Sequence, residues 1–315
     1  MIISASRRTD IPAFYSGWLM KRIREGFFFK VNPYNVNQVK GVSLHPEDVA
    51  ALVFISKYPA PLLEHLEELD RRGYNYIFQY TLNDYDAALE PKVPPLDKRI
   101  QVFKEISSHV GRGRVTWRYD PIVYSNRTDV AYHLERFKKL AEVLGPYSTR
   151  VIISFLDFYP KMEKRMEQVE EKYGIIFQDI MECGEQLAEL CHSLKDIALA
   201  NNLEIQSCAE EDELVNEIIK PGSCIDPDQL NDLFGLKLKN GKDPYQREGC
   251  LCTTAEDMGS YDTCLFNCTY CYASKGAVAV KRRTARHNPE SSTLLGDCNR
   301  QFHRQQPLFG KPGER

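Results

Sequence analysis

Long hydrophobic runs are missing from this 315-residue sequence: stretches such as 49–55 fall far short of the roughly 18–20 residues that cross a bilayer. Transmembrane spans are therefore not expected. Net charge is also scarce, since 41 Lys and Arg against 44 Asp and Glu leave −3, which gives no whole-chain argument for binding nucleic acid or a membrane surface. The opening MIISASRRTDIPAFY lacks the charge-then-long-apolar order of an export signal, and the protein reads as cytoplasmic. Gly-rich phosphate loops of the Walker or dinucleotide type are absent. So is a Gly-x-Ser-x-Gly elbow, and the seven histidines sit mostly in helical patterns or the tail, so Ser-His-Asp catalysis has no support. His45, His109 and His133 read as surface or helix residues.

Hydrophobic residues make up 43% and charged residues 27%, enough to bury a sizeable core. The length permits one large domain or two modest ones. Six short β-forming runs recur between longer helical patterns: 2–6, 52–56, 76–81, 114–119, 151–156 and 203–208. Helical spacing covers 12–25, 61–72, 96–110, 129–144 and 176–200. This alternation predicts an α/β fold of parallel βα units. The piece 27–44, with two β-rich halves round an Asn-rich middle, predicts a hairpin that covers one edge or lids the mouth. A charged, Pro- and Gly-containing stretch at 237–246 reads as a linker, dividing a body at 1–236 from a cysteine-rich segment at 237–315.

Several predicted strands stop at charged or polar residues: Arg7 and Arg8, Asp10, Lys57, Arg118 and Asp120, Asp157, and Cys208 with Glu210. In a barrel of parallel strands such positions surround the mouth where chemistry is built. Arg7 and Arg118 suit a carboxylate or phosphate, and Asp120 suits orienting it or accepting a ribose hydroxyl. The plainer alternative is that Asp10 and Asp120 stitch loops together in Arg–Asp pairs.

Five of the ten cysteines lie within 250–271. The densest string is Cys264-Leu-Phe-Asn-Cys268-Thr-Tyr-Cys271. Three thiolates on one tight loop can wrap a single metal centre, whereas an iron–sulfur cubane takes four cysteines, one per iron. A three-cysteine loop thus leaves one iron open, and an open position is where substrate binds.

The string resembles the signature of the radical S-adenosylmethionine (SAM) superfamily, with Tyr270 as the aromatic before the last cysteine. The resemblance implies that Cys264, Cys268 and Cys271 hold a [4Fe-4S] cluster and that SAM chelates the fourth iron. It implies a six-stranded partial (βα) barrel, reductive cleavage of SAM, an unknown substrate, and an electron donor of the ferredoxin or flavodoxin type. Tyr270 then packs beside SAM, and Asp157 and Glu210 are candidates for its amino group. The order departs from the superfamily, whose cysteine loop usually follows the first strand, and no Gly-Gly-Glu string is present. SASRRTDIPAFY, WRYDPI and the terminal cysteine pattern also resemble an uncharacterised bacterial family, "domain of unknown function eighteen forty-eight". That family lends no substrate.

Other readings stay open. Cys250 and Cys252, with Cys208 and Cys224, fit a second iron–sulfur cluster or a structural zinc site, while Cys208 and Cys224 also fit small buried hydrophobes. A zinc knuckle of Cys250, Cys252, Cys268 and Cys271 leaves Cys264 unused. Cys183 and Cys191 read as helix core, and Cys298 is unassigned. The basic string 281–286 fits a solvated face or a nucleic-acid contact. A non-enzymatic iron–sulfur or zinc protein, structural, electron-transferring or nucleic-acid-binding, is the alternative to an enzyme.

Overall fold

The computed structural model describes residues 1–33, 35–296 and 300–303. Cys298 and the tail at 307–315 lie outside the described residues. The strands, in chain order, are β1 (Ile2–Ala5), β2 (Phe27–Val31), β3 (Val39–Ser43), β4 (Ala51–Ser56), β5 (Tyr76–Thr81), β6 (Val115–Ile122), β7 (Arg150–Phe155), β8 (Glu204–Cys208), β9 (Pro221–Gly222) and β10 (Glu256–Asp257). Eight of them form one sheet in the order β10-β1-β4-β5-β6-β7-β8-β9. Every pairing in that sheet is parallel.

All six expected strands are present and adjacent, but the sheet has eight members rather than six. The additions are the two-residue edges β9 and β10, Pro-Gly and Glu-Asp, sequences with no β-forming signal of their own. Among the described residues no closed barrel forms, since β9 and β10 remain the sheet's two ends. The ends are nevertheless connected. Thr253 N donates to Ile225 O at 3.1 Å beside β9, and three residues later Glu256 pairs with Ile3 of β1.

Period-two alternation sends successive residues to opposite faces of the sheet. Leu52 and Phe54, Tyr76 and Phe78, Trp117 and Tyr119, and Val151 and Ile153 enter one large core. It is closed by Phe103 and Ile106 of helix Leu96–Val110, Phe137 and Leu140 of helix Val130–Leu144, and Leu187 and Leu190 of helix Gly184–Ala200. The opposite face supplies Ile2, Ala51, Val53, Ile77 and Ile152 to a smaller cluster with Ile225, Leu230, Cys208, Cys224, Cys250 and Cys252. Both faces are covered, which is why β5 is buried along its whole length.

The hairpin forms as expected, with β2 and β3 antiparallel from Phe27↔Ser43 to Val31↔Val39. The expected helix at 12–25 is broken at Tyr15 into Ile11–Phe14 and Ser16–Glu25. The one at 61–72 is likewise two pieces, Ala60–Leu63 and Leu66–Arg71. Helix Pro160–Tyr173 was not expected from periodicity, because Met162 and Met166 are its only buried residues. Where a helix was expected from 176, the chain makes a short 3-10 turn at Ile180–Glu182 before helix Gly184–Ala200. No described helix is long and apolar enough to cross a membrane.

Candidate functional site

The carboxyl ends of the parallel strands carry the polar residues. Asp10 caps helix Ile11–Phe14: its Oδ1 accepts from Ala13 N at 3.0 Å and its Oδ2 from Lys57 N at 2.7 Å. Burial lifts its carboxyl to about 6. At the end of β6, Arg118 Nε donates to Asp120 Oδ2 at 2.9 Å, Arg118 Nη2 also bonds that oxygen, and Ser154 Oγ bonds Oδ1. Burial opposes ionisation of Asp120, yet Arg118 and Ser154 outweigh it and hold the carboxyl low. Arg118 and Asp120 are thus each other's partners, and Asp10 serves as a helix cap.

The three-cysteine loop lies against this end of the sheet. Thr269 N donates to Leu89 O at 2.9 Å and its Oγ1 to Ala88 O at 2.8 Å, fixing the loop to the segment after β5. From helix Pro160–Tyr173, Arg165 Nη1 donates to Cys268 O at 2.9 Å and Nη2 to Cys271 O at 2.5 Å. Phe14 meets Phe266 edge-on at 4.5 Å between centroids. Cys264, Cys268 and Cys271 share one cluster with Phe266, Tyr270, Tyr85 and Met162. Burial pushes all three thiols up, while Lys57 acts against it at Cys268 and Arg165 and Lys57 act against it at Cys271.

Tyr270 joins a buried charge pair. Lys57 Nζ reaches Glu90 Oε1 at 2.7 Å and the Tyr270 oxygen at 3.0 Å, and the Tyr270 hydroxyl donates to the same Glu90 oxygen. Arg99 Nη1 stands 3.7 Å from Glu90 Oε2. A cation therefore sits beside Cys268, itself balanced by a carboxylate with a side chain only 1% exposed. Sequence reasoning missed Glu90 and Arg165. Neither belongs to a recognisable motif, and each reaches the loop from an element far away in the chain.

A second group of thiols lies on the face lined by Ile2, Ala51, Val53, Ile77 and Ile152. Cys208 ends β8, Cys224 follows β9, and Cys250 and Cys252 precede β10; all four are buried and unbridged. The Cys208 and Cys224 sulfurs are 3.0 Å apart, and Arg118 Nη1 donates to Cys224 Sγ. Contacts from Cys224 and Cys250, with the charge of Arg7 adding to them, hold the Cys252 thiol well below its usual value. Arg7 also contacts Asp243 at 3.4 Å. Among the described residues, no group of three or more His, Cys, Asp or Glu side chains is placed so that it could hold a metal ion as it stands.

The two thiol groups are separate: Cys252 contacts Cys224 and Cys250, while Cys268 and Cys271 belong to the other cluster. Glu210 Oε1 accepts from Phe155 N at 2.9 Å, and burial raises its carboxyl to about 7. Asp157 is exposed and pairs with Arg247. Cys191 is core, whereas Cys183 precedes helix Gly184–Ala200 and is half-buried. His133 is fully buried and His109 pairs with Asp70 at 2.7 Å. Of the basic string, residues 281–284 end helix Ala277–Thr284, and Arg283 Nη2 donates to Ser260 Oγ at 2.8 Å.

A family model described as "Domain of unknown function (DUF1848)" matches residues 2–273, the whole sheet and both thiol groups included. The chain belongs to that family. No curated protein matches the chain. The family's description assigns neither an activity nor a ligand.

Proposed function

We propose that the protein is a radical SAM-type enzyme acting on a substrate still to be identified. The observation that carries this reading is the gathering of Cys264, Cys268 and Cys271 on one part-buried loop at the carboxyl end of a parallel βα sheet. The donor set suits a cubane with one iron left for a small molecule: three thiols, no fourth cysteine on the loop, and a cation against them. When bound, such a cluster supplies the electron that cleaves the SAM sulfonium and yields the carbon radical that attacks substrate. The open eight-stranded sheet here takes the part of the superfamily's half-barrel.

The chain's own residues hold that centre in place. Arg165 ties the carbonyls of Cys268 and Cys271 to a helix, which supports the loop backbone behind two of the three thiols. Lys57 offsets thiolate charge, and Glu90 fixes where its ammonium stands. Tyr270 fills the space between that pair and Tyr85, with ring centroids 5.9 Å apart, and keeps water away from Cys268. Arg7, Asp157 and Glu210 lie at the same end of the sheet, held by Asp243, Arg247 and the Phe155 amide, and are the candidates to contact SAM or substrate. Turnover requires a low-potential donor of the ferredoxin or flavodoxin type.

The test is anaerobic purification, iron and sulfide analysis, and electron paramagnetic resonance of the reduced protein before and after SAM. The expected result is about four irons on the loop and a spectrum perturbed by SAM. Cys268→Ala is expected to abolish SAM cleavage. Undiminished cleavage in that variant, or a cluster indifferent to SAM, would move the assignment to a structural or electron-carrying metal protein.

A further inference from the structure

Four buried cysteines play no part in the loop just described. Buried cysteine commonly acts as a small hydrophobe, but that does not explain what surrounds these four. Cys208 touches Cys224, Cys224 touches Cys252, and Cys252 touches Cys250. Two arginines approach them from the ends of different strands. Arg118, shared with Asp120, donates to Cys224, and the charge of Arg7 acts on Cys252, Cys224 and Cys250. Arg7 Nη2 is buried with no hydrogen-bond partner among the described residues. Guanidinium stays charged in proteins; Arg118 is matched by Asp120 and Arg7 by Asp243, yet each also faces sulfur. Bound thiolates, which keep net negative charge even round a divalent ion, would add negative charge where both guanidiniums meet the sulfurs.

The position in the fold gives such a centre a purpose. Cys208 and Cys224 belong to the β8–β9 end of the sheet, and Cys250 and Cys252 to the strand entering at β10, the opposite end. Backbone bonds already hold the pieces in place: Thr253 N to Ile225 O at 3.1 Å and Asp243 N to Cys252 O at 2.9 Å. We propose that Cys208, Cys224, Cys250 and Cys252 form a second metal centre, ligated entirely by protein thiolates as zinc or an iron–sulfur cluster is, that clasps the two ends of the sheet together. The side chains touch in sequence from Cys208 through Cys224 and Cys252 to Cys250 and, as placed, form no group that could hold an ion. A tetrahedral zinc with ~2.3 Å bonds spaces its sulfurs roughly 3.8 Å apart, so ligation asks the thiols to turn outward from contact, with their protons released to solvent. The open-iron reading of the other loop is not needed for this assignment.

The test is elemental analysis of the full chain, purified anaerobically, as wild type, Cys268→Ser and the double variant Cys250→Ser/Cys252→Ser. Cys268→Ser is expected to retain about one zinc per chain, or iron with matching sulfide if the centre is a cluster. The double variant is expected to lose that metal and to melt at a lower temperature. If the double variant does not fold, mercurial titration of Cys268→Ser decides: metal release in step with modification of four thiols supports the centre. A folded Cys268→Ser protein free of metal overturns it, as does a Cys208–Cys224 disulfide in the unreduced protein. Zinc as the wild type's sole metal would support this centre while removing the open-iron reading.

Discussion

The Tyr272 hydroxyl donates to the Arg7 carbonyl oxygen at 2.7 Å. Tyr272 follows Cys271, and Arg7 faces Cys252, so this bond joins the two thiol groups through the first strand's loop. On the other side of the same residue, Arg7 N donates to Asp257 Oδ2 at 2.9 Å, while Ser6 Oγ and Gly259 N donate to Oδ1 at 2.6 and 2.7 Å. Asp257→Ala leaves these donors without their acceptor in a buried place. The expected cost is about 2–4 kcal/mol, read from chemical denaturation. Gly259→Ala should weaken the same knot, because its Cβ would lie 1.9 Å from Ser6 Oγ. Unchanged stability in both variants would mean the loop holds without Asp257.

Lys57 and Glu90 are mutually dependent. Lys57→Met leaves the Glu90 carboxylate buried with Arg99 as its nearest cation, at 3.7 Å. Breaking one side of a buried pair costs about 3–5 kcal/mol. The double variant Lys57→Met/Glu90→Gln should recover part of that loss, since no unpaired carboxylate remains. A double-mutant cycle in urea measures the coupling, and simple additivity would refute the pairing.

The strands were legible because buried parallel strands read as near-continuous apolar runs, as in β4 and β5. Helix Pro160–Tyr173 was not, because ten of its fourteen residues other than the two methionines and the two aromatic or β-branched ones give no apolar stripe. The edge strands exist only as extensions of ladders begun elsewhere. The same division runs through the site. Cysteine spacing along one loop is a local property and could be read, but Glu90, Lys57 and Arg165 meet there only after three distant segments have folded. Arg118 and Asp120, two apart on β6, read either as mouth residues for a substrate or as partners in an Arg–Asp pair, and they are found engaged with one another.

His133 sets a pH dependence away from either thiol group. It is buried on helix Val130–Leu144, with Nδ1 2.8 Å from the Tyr119 hydroxyl and Nε2 3.0 Å from Val123 O. Burial lowers its pKa from 6.5 to about 4. Between those values the unfolded chain binds the proton and the folded one does not, so stability contributed by neutral His133 is complete above 6.5 and lost as pH falls toward 4. In His133→Gln the slope of unfolding free energy against pH over that window should flatten. An identical slope would assign the acid sensitivity to other groups.

Arg165 offers a test of how much the protein, rather than the metal, shapes the three-cysteine loop. Its two bonds go to main-chain oxygens of Cys268 and Cys271, so Arg165→Ala removes no ligand and alters only the support behind two of them. Partners outside the ligand shell typically change metal affinity by about 10–100-fold. Iron release from the anaerobic protein to a chelator is expected to be about tenfold faster in the variant, with iron at loading and the melting temperature little changed. Arg165→Lys retains the charge but has no planar fork for two carbonyls, and it should fall nearer to alanine than to wild type. If lysine instead restores slow release, positive charge beside the thiolates is what matters, and the two hydrogen bonds are incidental.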